Sequence, residues 1–124
     1  MSSKSLEDLE VWRRARSLRQ KVSGIVKGLP KEEKYLLKDQ MIRSSRSVSA
    51  NIAEGHGRFH YQENIQFCRQ ARGSLVELFD HFTCALDEQY IVDAVFNEFY
   101  EDYQTVHKMI NGYITYLVKQ KATN

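Results

Sequence analysis

The chain has 124 residues, of which 42% are hydrophobic, with one proline and a formal net charge of +2. That is enough for one domain with one core, and too apolar for a disordered segment. No run approaches the roughly 18 apolar residues of a membrane span, and the N-terminal MSSKSLEDLEVW lacks the apolar stretch of a secretory signal, so a cytoplasmic protein with no membrane contact is expected.

The small net charge hides an asymmetry. Residues 1–72 hold 15 Lys and Arg against 8 Asp and Glu, whereas residues 73–124 hold 3 against 8. A basic half can attract phosphates, and it can equally meet an acidic half of the same or a neighbouring subunit.

Four helices are predicted in chain order. The first spans residues 6–27, with Trp12, Ala15, Leu18, Val22, Ile25 and Leu29 on one face. Ser5 and Asp8 form a candidate capping pair for its start, and Gly28 and Pro30 close it. The second spans residues 32–54, opened after Pro30 by Glu32 and Glu33. Its seam is Leu37, Met41, Ser45, Val48 and Ile52, and six of the ten residues 44–53 are Ser or Ala, so neighbours can approach its backbone closely. Gly55 and Gly57 bracket His56 and suit the left-handed conformation that ends a helix.

The third helix, residues 59–87, steps alternately by four and three through Asn64, Cys68, Ala71, Leu75, Leu78, Phe82 and Ala85, the seam of an antiparallel bundle. Gly73 inside it costs about 1 kcal/mol relative to Ala and is best explained by a close helix contact. Cys68 and Cys84, 16 residues apart on this helix, lie about 24 Å from each other and cannot pair. They read as small, partly buried hydrophobes of a reducing compartment. The fourth helix, residues 93–119, presents Phe96, Phe99, Tyr103, Val106, Ile110, Tyr113 and Leu117. It carries six of the fourteen aromatic residues, and Tyr100 and Tyr116 widen the stripe enough to cover an oligomer contact. Short links between four such helices give an all-α, antiparallel up-down-up-down four-helix bundle over residues 1–124.

No catalytic motif is present. The serine cluster has no histidine at helical spacing and neither cysteine has an activating neighbour, so no catalytic residue and no cofactor is assigned; an unrecognised hydrolase is the reading this leaves open. His56 and His60 are one turn apart, with Glu54 and Glu63 near, but Gly57 separates them, and no metal site is expected. Asn51 and Glu54 read as structural. Asn51 suits the backbone donors of the turn that follows, and Glu54 suits a pair with Arg43 or Arg58 of another helix or subunit, since Arg43 of its own helix, eleven residues back on the same face, is too far along the axis to reach it. Four arginines within residues 13–19 exceed what i,i+4 pairs such as Glu10–Arg14 require. Phosphate contact through Arg13, Arg14, Arg16, Arg43, Arg46 and Arg58, with little sequence preference, is one reading; a protein-binding scaffold without nucleic acid is the other.

Several strings carry a resemblance: DLEVWRRA at residues 8–15, LPKEEKYLLKDQMIRSS at 29–45, SANIAEGHGR at 49–58, ENIQFCRQARGSLVELFDH at 63–81 and YI at 90–91. They resemble the bacterial four helix bundle protein family, also called the 23S rRNA intervening-sequence protein family, some of whose members are encoded in insertions within large-subunit ribosomal RNA genes. The match covers residues 6–91, and the fourth helix agrees only in character. The resemblance implies a bundle protomer that assembles into a homopentamer with no known enzymatic activity. A related branch, the accessory variability proteins of diversity-generating retroelements, implies a basic barrel that binds nucleic acid and a reverse transcriptase. The matching positions include Trp12, Gln40, Arg43, Asn51, Glu54, Gly55, Gly57, Arg58 and Gly73, while Ser44–Ser45 stands where members more often carry two alanines.

Overall fold

The computed structural model describes residues 5–123. Four α-helices follow in order, α1 (Glu10–Val26), α2 (Leu37–His56), α3 (Tyr61–Asp87) and α4 (Asp93–Thr123), and no strand occurs among the described residues. Packing runs α1 on α2, α2 on α3, α3 on α4 and α4 back on α1, the cyclic order of an antiparallel four-helix bundle.

One core fills the centre, and the long seam of α3 supplies most of it. All seven predicted positions from Asn64 to Ala85 are buried, joined by Ile65. Phe82 stacks on Phe99 of α4 with ring centroids 3.6 Å apart. On α1 the buried face is rotated from the predicted one: Val11 and Val26 are buried, whereas Trp12 and Ile25 are only half-buried at the rim. The large Trp12 ring can lie partly outside the core because the Arg16 guanidinium sits over it, 5.9 Å from its centroid.

The helix ends depart from the sequence reading where local geometry tightens. Leu6–Asp8 forms a separate 3-10 turn before α1, and the Ser5 hydroxyl donates to the Asp8 carboxylate at 2.8 Å rather than capping the helix. Glu32 and Glu33 likewise belong to a 3-10 turn, Lys31–Glu33, and α2 starts at Leu37. Glu33 acts at a distance. Its carboxylate accepts the Leu37 amide at 3.2 Å, covering a free donor of the α2 N-terminus, and the Tyr90 hydroxyl at 2.9 Å, which ties the α3–α4 link to the α1–α2 link. α3 begins two residues later than predicted, and α4 continues four residues further.

The glycine terminators are also corrected. No glycine among the described residues has a positive φ: Gly55 lies inside α2 and Gly57 follows it at φ −77°. The left-handed residue is Gln89 at φ 61°, where the Tyr90 amide reaches back to the Ala85 carbonyl and closes α3. Gly55 serves close approach instead. A Cβ there would stand 2.6 Å from Asn64 Oδ1, 3.0 Å from Phe67 Cβ and 3.1 Å from the Asn64 carbonyl oxygen, so α3 crosses α2 against bare backbone. Gly55→Ala is expected to cost about 1–3 kcal/mol despite the better helix propensity of alanine, because α3 backbone must move. Urea unfolding of the variant measures this.

Gly73 behaves in the opposite way. A Cβ there meets nothing within 4 Å in the protomer, so no close helix contact inside the bundle explains it. Gly73→Ala should stabilise the protomer by up to about 1 kcal/mol. A melting temperature that falls together with loss of assembly would instead place this glycine between subunits.

Candidate nucleic-acid interface

Antiparallel packing sorts the polar residues of α2 onto two edges. Toward α3, the Ser47 hydroxyl shares a 2.8 Å hydrogen bond with Ser74, and Asn51 Nδ2 donates to the Ser47 carbonyl at 2.9 Å and to its hydroxyl at 3.0 Å. Asn51 therefore serves the turn that precedes it, not the one that follows. One turn further, Arg43 pairs with Glu77 of α3 while its guanidinium also donates to Gln40 Oε1 at 2.7 Å, and His81 Nε2 lies 3.0 Å from the same carboxylate. At the other end, Asn64 donates to the Tyr113 hydroxyl at 3.1 Å and joins α3 to α4. These groups are engaged in holding helices together.

Toward α1, the arrangement differs. Arg19 Nη1 donates to the hydroxyl of buried Ser49 at 2.8 Å, which fixes the register of α1 against α2. Arg16 lies one turn along α1 from Arg19, and Arg46 lies one turn along α2 from Ser49, so three guanidiniums follow one edge. Residues 11–26 of α1 and residues 40–53 of α2 contain no Asp or Glu. Among the described residues no carboxylate pairs with Arg16, Arg19 or Arg46, whereas the remaining predicted arginines are all paired. Arg13 and Arg14 share Glu10, the second at 3.5 Å, and Arg58 bridges Glu54 at 3.2 Å and Glu63 at 3.5 Å. The six arginines named from sequence thus do not form one surface. Glu54 finds Arg58 within its own chain, and Arg43 turns to Glu77. Arg19 is not among the six, although the absence of acids from residues 11–26 and 40–53 is legible in the sequence.

The paired arginines belong to a solvated, ion-paired helix surface. Exposed ion pairs of this kind contribute about 0–1 kcal/mol, so their carboxylates hold them loosely but do compete with an incoming phosphate. Buried Ser44, Ser45 and Ser49 are satisfied within α2 by the carbonyls of Gln40, Ile42 and Arg46. Cys68 and Cys84 are free thiols, Cys68 buried and Cys84 exposed rather than partly buried. Burial pushes Cys68 up to about 11 and, with Asp80, Asp87 and Glu88 nearby, also raises Cys84, the reverse of an activated nucleophile. The described residues hold no group of three or more His, Cys, Asp or Glu placed to share an ion, and none of their helices is long and apolar enough to cross a membrane.

Two other surfaces complete the picture. Between α1 and α4 lies a groove of about 340 Å³ floored by Leu18, Val22, Ile25, Val95 and Phe99. Its charged rim pairs with itself, Lys21 reaching Asp102 at 2.9 Å and Glu98 at 3.9 Å. Opposite the basic edge, Phe79 of α3 gathers Phe96, Phe99, Tyr100 and Tyr103 of α4, and Val76, Tyr100 and Tyr116 remain exposed there and further along α4.

The family model of the 23S rRNA-intervening sequence protein matches residues 7–112, which carries the likeness beyond residue 91 and well into α4. A solved protein of unknown function from the S23 ribosomal protein family of Bacteroides thetaiotaomicron has the same fold, with a TM-score of 0.78 at 20% identity over 84% of this chain and 97% of that one. A comparison with curated proteins finds no match.

Proposed function

The chain belongs to the 23S rRNA-intervening sequence protein family, and from that premise we propose a non-enzymatic, oligomeric protein that binds nucleic acid, RNA foremost, through phosphate contacts. One observation carries the proposal: Arg16, Arg19 and Arg46 line an edge along which residues 11–26 of α1 and 40–53 of α2 contribute no carboxylate, and none of the three pairs with one among the described residues. A solvated helix surface normally mixes both signs, and a single-sign row attracts a polyanion. Nothing on this edge reads base edges in the manner of a recognition helix or a zinc finger, so binding should be weakly sequence-selective. The non-enzymatic reading is supported by the occupation of Asn51, Ser47, Ser74, Arg43 and Glu77 in ties between helices.

Self-assembly into a closed ring, a homopentamer, follows the family resemblance and is supported by exposed Val76, Tyr100 and Tyr116 opposite the basic edge. A ring would repeat the edge around one particle, and avidity would then raise a modest affinity. Light scattering at tens of micromolar should report several protomer masses; a monomer would refute assembly. A protein-binding scaffold, with a reverse transcriptase as one such partner, is the second reading, favoured by the same aromatic surface. Titrating structured RNA and duplex DNA at low and near-physiological salt separates the two. Salt-sensitive binding is expected, and absence of binding at low salt would leave the scaffold.

A further inference from the structure

The basic edge leads to the end of the bundle at which α2 turns into α3. Seven residues beyond the Arg19–Ser49 contact, about 10 Å along either helix, Trp12 and His56 reach the same level, with Arg16 on the way. Residues 57–60 make the turn just past them. In it Phe59 is 92% exposed, the most exposed large hydrophobic side chain among the described residues. The residue before it is held down. Arg58 lies over the Phe67 ring, 5.0 Å from its centroid, and pairs with Glu54 and Glu63. The residue after it, His60, touches the Phe59 ring edge to face at 5.0 Å and precedes the first turn of α3. Phe59 is thus a ring displayed from a short, pinned turn, contributing nothing to the core.

Resting on the nucleic-acid reading above, we propose that the ligand of the basic edge is single-stranded, its phosphates following Arg46, Arg19 and Arg16 and one of its bases stacking on Phe59. A groove of one charge sign together with an exposed aromatic face is what sequence-tolerant binding of a single strand requires, because every unpaired base has a free π-face. A duplex offers none. Its bases are stacked on each other, so Phe59 would gain nothing from it and only the phosphate contacts would remain. Trp12 does not take this role, since Arg16 already covers its half-buried ring. The acids at this end are largely engaged: Glu10 by Arg13 and Arg14, Glu54 and Glu63 by Arg58, and Asp8 by Ser5.

The test uses the full chain, a labelled oligo-uridylate, which has little structure of its own, and an RNA duplex of equal length, both titrated by fluorescence anisotropy at low salt. The strand should bind more tightly than the duplex. Phe59→Ala should weaken strand binding about tenfold while leaving duplex binding and the salt dependence unchanged. Phe59→Trp should keep strand affinity, and its emission, read against wild-type Trp12, should be quenched on adding the strand. Equal affinity of Phe59→Ala and wild type for the strand would overturn the proposal, as would an equal loss for strand and duplex. A smaller particle mass for Phe59→Ala in light scattering would assign the ring to a contact between subunits and overturn it as well. If wild type binds neither nucleic acid, the nucleic-acid reading fails and takes this inference with it; binding without a Phe59 effect fails the inference alone.

Discussion

Phe82→Ala is expected to lower the unfolding free energy by about 3–5 kcal/mol, the range for removing a fully buried aromatic ring. The upper part of that range applies here for two reasons. Phe82 has no exposed surface and stacks face to face on Phe99, so the substitution forfeits an aromatic pair worth about 0.5–1.5 kcal/mol beyond the area it buries. Phe99 in turn floors the groove between α1 and α4, where Gly24 offers no side chain to move inward. Collapse around the void is therefore limited, and the cavity term stays large. Denaturant unfolding should show a lower midpoint at an unchanged slope. A loss under about 1.5 kcal/mol would mean that α4 repacks freely over α3, contrary to the tight aromatic layer described above.

How much of this was legible in the sequence depended on whether the signal was local. The α3 seam was readable because a helix packed on its neighbours along its whole length imposes the same step of three or four at every turn, and Asn64 to Ala85 obey it without interruption. The periodicity of α1 points to a face turned by part of a turn, since Trp12 is the largest apolar residue of its first half and yet takes the rim. The start of α2 is not legible because Glu32 and Glu33 resemble helix-opening acids, whereas Glu33 works by reaching Leu37 and Tyr90, and a contact across 57 residues leaves no periodic trace. Gly55 illustrates the same limit. Its sequence context suggested a terminator, while its real role follows from Asn64 and Phe67 on another helix. Among the arginines, charge density was legible and charge partnership was not: Arg43 looked as free as Arg46 until Glu77 was placed beside it. The acid-free stretches of α1 and α2 were visible all along, but only the register fixed by Arg19 and Ser49 shows that they share an edge.

That partnership dictates the largest functional effect expected. Arg16→Glu combined with Arg46→Glu should weaken nucleic-acid binding about a hundredfold at about 0.05 M salt and lower the slope of log affinity against log salt by about 1.4–1.8, since each phosphate contact contributes roughly 0.7–0.9. Both side chains are exposed and neither pairs with a carboxylate, so stability should change by no more than about 1 kcal/mol, mostly from the lost contact of Arg16 with Trp12. Arg13→Glu with Arg14→Glu is the informative contrast. These two arginines share Glu10 and must release it before they meet a phosphate, so equal charge removal should flatten the slope less. Arg43→Glu should act mainly on folding, because it places a second carboxylate against Glu77 between α2 and α3. If the Arg13 and Arg14 pair proved the more damaging of the two, the phosphates would be meeting the N-terminal end of α1, and the edge between α1 and α2 would be a solvated face.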